Sequence, residues 1–231
     1  MTPLLEATEL HTFYGASHVL HGVSFSIAEG ETVTLMGRNG MGKTTTIRSV
    51  LGLTPPRAGT VRVRGKAVTG WPAHRIAGEG IALVPEGRGI FPTLTVRENL
   101  LVAQRPGPWS LERALSLFPR LRQRLGHLGS QLSGGEQQML SIARALLTNP
   151  RLVILDGATE GLAPLIRQEI WAALRRLRAE GIASLIVDKE VKTLLELGDR
   201  HLILLKGAVA FSGDTAAFRA REEANLALLR A

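Results

Sequence analysis

The stretch Gly37-Arg38-Asn39-Gly40-Met41-Gly42-Lys43-Thr44 constrains this chain more than any other. It fits G-x-x-x-x-G-K-[ST], with an apolar strand pattern at Glu31–Met36 before it and a helical run at Thr45–Leu53 after it. Glycines let the backbone curl so that several N–H groups converge on one anion. The helix that follows points its partial positive end at the same place. In such a loop Lys43 serves the β- and γ-phosphates of a nucleotide, and the Thr44 hydroxyl is a ligand for Mg²⁺. Gly37, Asn39, Gly40, Gly42 and Thr45 complete the expected phosphate cradle. The dinucleotide pattern G-x-G-x-x-G is absent from the loop.

A strand–loop–helix unit of this kind belongs in an α/β sheet, and the rest of the chain alternates accordingly. Strand patterns fall at Val19–Ile27, Thr60–Arg64, Ile81–Val84, Leu152–Leu155 and Ile182–Val187, and His201–Leu205 with Ala208–Phe211 reads as a hairpin. Helical patterns fall at Pro164–Glu180 and Val191–Leu197. Runs that are apolar almost throughout predict strands covered on both faces, hence a mostly parallel sheet. From about 93 to 148 the pattern is helical, broken by Pro106, Pro108 and Pro119. The expected organisation is therefore one unit of 231 residues. Residues 1–92 and 149–231 form its α/β core, and 93–148 a helical insertion.

Composition narrows the function classes. The chain has no cysteine, which excludes disulfide frameworks and thiol chemistry. No apolar run reaches the roughly 18–20 residues needed to span a bilayer, and the first ten residues lack the pattern of a secretory signal. These features predict a soluble, intracellular protein. The net charge is +8, which permits an anionic partner.

A second motif, Leu132-Ser133-Gly134-Gly135-Glu136-Gln137-Gln138, opens a helical run reaching Thr148. Ser133 and Glu136 have capping-box spacing. The adjacent glycines weaken a first helical turn and point to close approach of another backbone or an anion.

The two motifs together, followed by the apolar strand Leu152–Asp156, resemble an ATP-binding cassette (ABC) ATPase subunit over essentially the whole chain. The resemblance implies an α/β P-loop core with an antiparallel N-terminal β region and a helical subdomain, and ATP and Mg²⁺ as cofactors. It implies a second cassette paired head to tail, so that Ser133, Gly134, Gly135 and Gln138 face the nucleotide held by the partner. Tyr14 falls where an aromatic side chain stacks on adenine, and Asp156 where a carboxylate holds Mg²⁺. Further stretches (Phe13–Leu20, Leu83–Arg88, Phe91–Leu100 and Thr159–Pro164) resemble the shorter ATPase of branched-chain amino-acid importers. That branch works at the cytoplasmic face of the bacterial inner membrane, with two membrane permeases and a periplasmic solute-binding protein. One signature and no heptad run speak against a nucleic-acid partner.

Three positions depart from the expected pattern. Glu86 stands where most cassettes carry glutamine; as a hard anionic oxygen it is a candidate Mg²⁺ ligand, or else a solvated loop carboxylate. Gly157 follows Asp156, where the family carries the glutamate that activates water, and a glycine does no general-base work. The resemblance assigns Glu160, nearby in sequence, to a different loop. Lys189 occupies the place of the switch histidine, as a phosphate contact or as an ion-pair partner of Asp188 or Glu190. The catalytic set is thus Asp156, Glu86 and Lys189, with hydrolysis at the chain's own site doubtful. Either the chain is a transport ATPase, or it is an ATP-binding half-site that supports a competent partner. The basic balance has a location, since 105–131 carries Arg105, Arg113, Arg120, Arg122 and Arg124 against Glu112. This predicts docking at an anionic membrane face.

Overall fold

The computed structural model describes residues 2–230. The antiparallel sheet comes first in the chain: β1 (Leu5–Tyr14), β2 (Ser17–Ile27), β4 (Ala58–Val63) and β5 (Lys66–Ala67), in the order β2-β1-β4-β5. The larger sheet has the order β10-β9-β3-β8-β7-β6, from β3 (Thr32–Met36), β6 (Ile81–Val84), β7 (Leu152–Asp156), β8 (Ala183–Val187), β9 (Arg200–Leu205) and β10 (Ala208–Gly213). All its pairs are parallel except β9 with β10.

Alternation along the central strands explains the layers. Leu152 and Ile154 of β7 join Val33 and Leu35 of β3 in a core shared with Leu5, Leu10 and Ile27 of the antiparallel sheet and with α1 (Lys43–Val50). Val153 and Leu155 face the other way, onto Leu140 and Ala143 of α6 (Gly134–Leu146) and Trp171 and Leu174 of α7 (Pro164–Ala179). Every residue of β3, β7 and β8 is buried, as expected for strands covered on both faces. Between β6 and β7 the elements are helical: α3 (Val96–Leu101), α4 (Leu111–Leu117), α5 (Pro119–Arg122), a 3₁₀ turn at Gly129–Gln131, and α6. The remaining helices are α2 (Ala73–Gly78), α8 (Val191–Leu197), α9 (Thr215–Ala220) and α10 (Glu222–Arg230).

The sequence pattern missed β1. Its alternation breaks at Glu9, which adopts φ 51°. The register with β2 shifts between Ala7 and Leu10, so the strand reads as two short pieces. The short helices α2, α9 and α10 were missed as well; α2 buries only Ile76, too little for a periodic signal.

The basic insertion is reshaped by partners that lie far away in sequence. Arg113 pairs with Glu180, Arg120 with Glu169, and Arg124 with Glu136, at 2.8–3.1 Å, and Arg122 pairs locally with Glu112. Acids on α6, on α7 and at the end of α7 thus meet much of the charge that the linear count left unbalanced. No helix among the described residues is long and apolar enough to cross a membrane.

Candidate nucleotide site

The order β3-β8-β7-β6 sets four parallel strands side by side, and each delivers a candidate residue at or just beyond its C-terminal end. β3 runs into the glycine loop, β8 into Asp188 and Lys189, β7 ends on Asp156, and β6 leads through Pro85 to Glu86. This is the edge at which parallel α/β sheets bind ligands.

The loop is shaped by backbone conformations that side chains resist. Gly42 has φ 102°, and a Cβ there would lie 2.8 Å from Leu20 Cδ2. No side chain caps α1, so its first turn faces the cleft with its amide groups uncapped. The Lys43 ammonium donates to the carbonyls of Gly37 (2.7 Å) and Arg38 (2.9 Å). Burial lowers its pKa, while Glu160 and Asp156 act in the opposite direction.

A cleft of about 390 Å³ opens above the loop. Asn39, Gly40, Gly42, Lys43, Thr44 and Thr45 line one side, and Glu86, Asp156, Gly157 and Glu160 the other. Asp156 is buried and its carboxyl pKa is raised: burial dominates, a hydrogen bond from Thr44 opposes it, and Glu86 adds to it. A buried carboxylate, a hydroxyl and a second carboxylate in one cleft form a hard-oxygen donor set. Three such oxygens suit Mg²⁺, which fills its remaining positions with water and phosphate oxygens. Among the described residues no cluster of three or more His, Asp or Glu side chains forms an all-protein metal cage.

Other expected residues lie differently. Tyr14 ends β1, is 45 % exposed, and does not line the cleft; its phenol pKa is lowered, burial raising it and the neighbouring Thr54, Thr45 and Arg48 outweighing that. Lys189 does not line it either. The partner of Lys189 is neither Asp188 nor Glu190 but Glu160, at 3.3 Å. Asp188 is buried and accepts from the Thr159 amide (2.7 Å) and hydroxyl (2.8 Å), while Glu190 pairs with Arg167. Glu160, which the resemblance assigned to a different loop, lines the same cleft as Lys43 and Asp156.

The second motif also differs in detail. Ser133 and Glu136 form the reciprocal capping box. Ser133 is exposed and Gly134 half-exposed, but Gly135 and Gln138 are buried. A Cβ on Gly135 would lie 2.5 Å from Ile166 Cγ2, so close packing of α7 requires this glycine. Gln138 Nε2 donates to the Ala158 carbonyl. Within this chain these two residues therefore serve packing rather than an exposed anion surface. The loop after Glu86 is fastened to the same helix, since Ser141 and Arg144 donate to the carbonyls of Arg88 and Gly89.

Comparisons with known proteins show the family and the fold. Residues 20–160 match the ABC transporter family. The chain is 38 % identical to the high-affinity branched-chain amino acid transport ATP-binding protein BraG of Pseudomonas aeruginosa, over 93 % of this chain and 94 % of that one. It is 33 % identical to the probable branched-chain amino acid transport ATP-binding protein LivF of Archaeoglobus fulgidus (91 % and 92 % covered). It is 36 % identical to the lipopolysaccharide export system ATP-binding protein LptB of Acidithiobacillus ferridurans (92 % and 91 %). The structure of an ATP-binding subunit of an ABC transporter superposes with TM-score 0.82 at 31 % identity, covering 99 % of this chain and 95 % of that one. A dimeric ATP-binding cassette in a post-hydrolysis state with ADP and Pi superposes at 0.81, 25 % identical, covering 91 % and 98 %. The chain belongs to the ABC transporter family, as an ATP-binding cassette.

Proposed function

We propose that this cassette binds MgATP in the cleft above Lys43 and works as the ATP-binding subunit of a branched-chain or related amino-acid importer. The observation that carries the first half is the convergence of Lys43, Thr44, Asp156 and Glu86 on one cleft at the ends of β3, β7 and β6. The importer assignment is supported by the similarity to BraG and LivF; the similarity to LptB makes export the competing direction.

In this reading the loop amides and Lys43 hold the phosphates. Thr44, Asp156 and Glu86 hold Mg²⁺, which when bound neutralises charge on the β- and γ-phosphates. Tyr14 packs on adenine. A second cassette closes over the nucleotide with its own Ser133-type helix start, while two permeases supply the path through the membrane and a periplasmic binding protein supplies cargo. The tie of Arg88 and Gly89 to α6 links Glu86 to the helical insertion, and so provides a rigid route from the cleft to a permease.

A second reading, an ATP-binding half-site beside a competent partner cassette, is favoured by Gly157 alone. The test is reconstitution into vesicles with the membrane subunits and binding protein. ATP-dependent leucine accumulation supports the importer. ATP-dependent extrusion of a lipid cargo, with no amino-acid uptake, contradicts it.

A further inference from the structure

We propose that Glu160 is a catalytic residue of this chain's own nucleotide cleft, filling the role that Gly157 leaves without a side chain, and that Lys189 is the residue that positions it. The proposal rests on the cleft being an MgATP site.

The geometry starts at the end of β7. Gly157 has φ +72°, which turns the chain sharply after Asp156. Thr159 is then pinned by two hydrogen bonds to the buried Asp188 carboxylate. The next residue, Glu160, is thereby returned to the cleft that Asp156 and Lys43 line. A Cβ built on Gly157 would lie 3.7 Å from Glu160 Cγ and 3.8 Å from its carboxyl carbon. The Glu160 carboxyl group therefore stands at van der Waals contact with the start of the side chain that position 157 lacks. Glu160 is only 28 % exposed, and Lys189 Nζ lies 3.3 Å from its Oε1 on the more open side. Among the carboxylates, Glu160 acts on the Lys43 ammonium more strongly than Asp156 or Glu86. Asp156 and Glu86 are the metal's donors in the proposed function, which leaves Glu160 as the remaining carboxylate that lines the cleft.

The step balances without a further reactant. Water oxygen bonds to the γ-phosphorus, the bond from that phosphorus to the β–γ bridging oxygen breaks, and the electron pair leaves with ADP. The water proton passes to the Glu160 carboxylate and then to solvent. Phosphoryl transfer depends chiefly on positioning and charge, and the ion pair with Lys189 holds the Glu160 carboxylate in one place.

The test uses the full chain, alone and in complex with its membrane subunits. MgATP affinity is read by equilibrium binding of a fluorescent ATP analogue, and hydrolysis by single-turnover phosphate release. Glu160→Gln is expected to keep affinity within about threefold and to slow hydrolysis about 10²–10⁴-fold. Lys189→Ala is expected to slow it about tenfold, with Lys189→Arg restoring it, which a purely structural role would not require. Unchanged hydrolysis in Glu160→Gln overturns the proposal. So does a wild type that binds MgATP without hydrolysing it, or Glu86→Gln abolishing hydrolysis where Glu160→Gln does not. Failure to bind MgATP at all would overturn the cleft assignment itself, and is told apart by the binding arm.

Discussion

Gln138 Nε2 donates to the carbonyl of Ala158 across 3.0 Å, with both residues buried. This bond ties the start of α6 to the turn that follows Asp156. Its partner carbonyl has no access to water once the amide is removed. Gln138→Leu is therefore expected to cost about 1–3 kcal/mol, seen as a lower urea midpoint with unchanged slope. A change under about 0.5 kcal/mol would mean that the bond adds nothing to stability.

Ser133 caps α6, accepting from the Glu136 amide at 3.3 Å while Glu136 receives the Ser133 amide at 2.8 Å. Ser133→Ala is expected to destabilise the chain by about 1 kcal/mol. MgATP binding to the chain's own cleft should be unaffected, since Ser133 does not line it. Thermal unfolding and nucleotide titration together check both halves.

His201 is fully buried between Thr34 and Thr215, each at 2.8 Å. Burial lowers its pKa to about 4, against the pull of Asp214 and Asp199. The unfolded chain takes up this proton near pH 6.5, so the stabilisation is complete above that value. It is lost as pH falls towards 4, reaching about 3 kcal/mol. Measured between pH 7 and pH 4, His201→Gln should show a shallower loss of stability than wild type; parallel curves would rule out His201 as the source.

Gly157→Glu probes the turn itself. The φ of +72° makes any side chain costly, by about 1–2 kcal/mol. The nearest atoms, 3.6 Å away on Glu86, leave room for a Cβ. The single variant is expected to melt a few degrees lower. Combined with Glu160→Gln it is expected to regain hydrolysis, because a carboxylate returns to the same space. A double variant as inactive as Glu160→Gln would show that the two positions are not interchangeable.

Much of this arrangement was legible in the linear chain, for a physical reason. β6 and β7 are apolar runs sharply bounded by Pro85 and Asp156, and the glycine loop carries its own local chemistry. Glu160 was not legible. Its return to the cleft depends on the Gly157 conformation and on Asp188, a residue from a different strand. The burial of Gly135 was hidden likewise, because it is set by Ile166 on α7. The arginines of the insertion looked unbalanced because Glu169 lies on that same later helix and Glu180 just past its end.

The central claim is that MgATP sits above Lys43, whose ammonium rests on the Gly37 and Arg38 carbonyls at the floor of the cleft. Equilibrium binding of MgATP to wild type and to Lys43→Ala tests it most directly. A charged contact of this kind contributes about 1.5–3 kcal/mol, so the variant should bind roughly 10–100-fold more weakly. Equal affinity of the two proteins would contradict the assignment of the cleft.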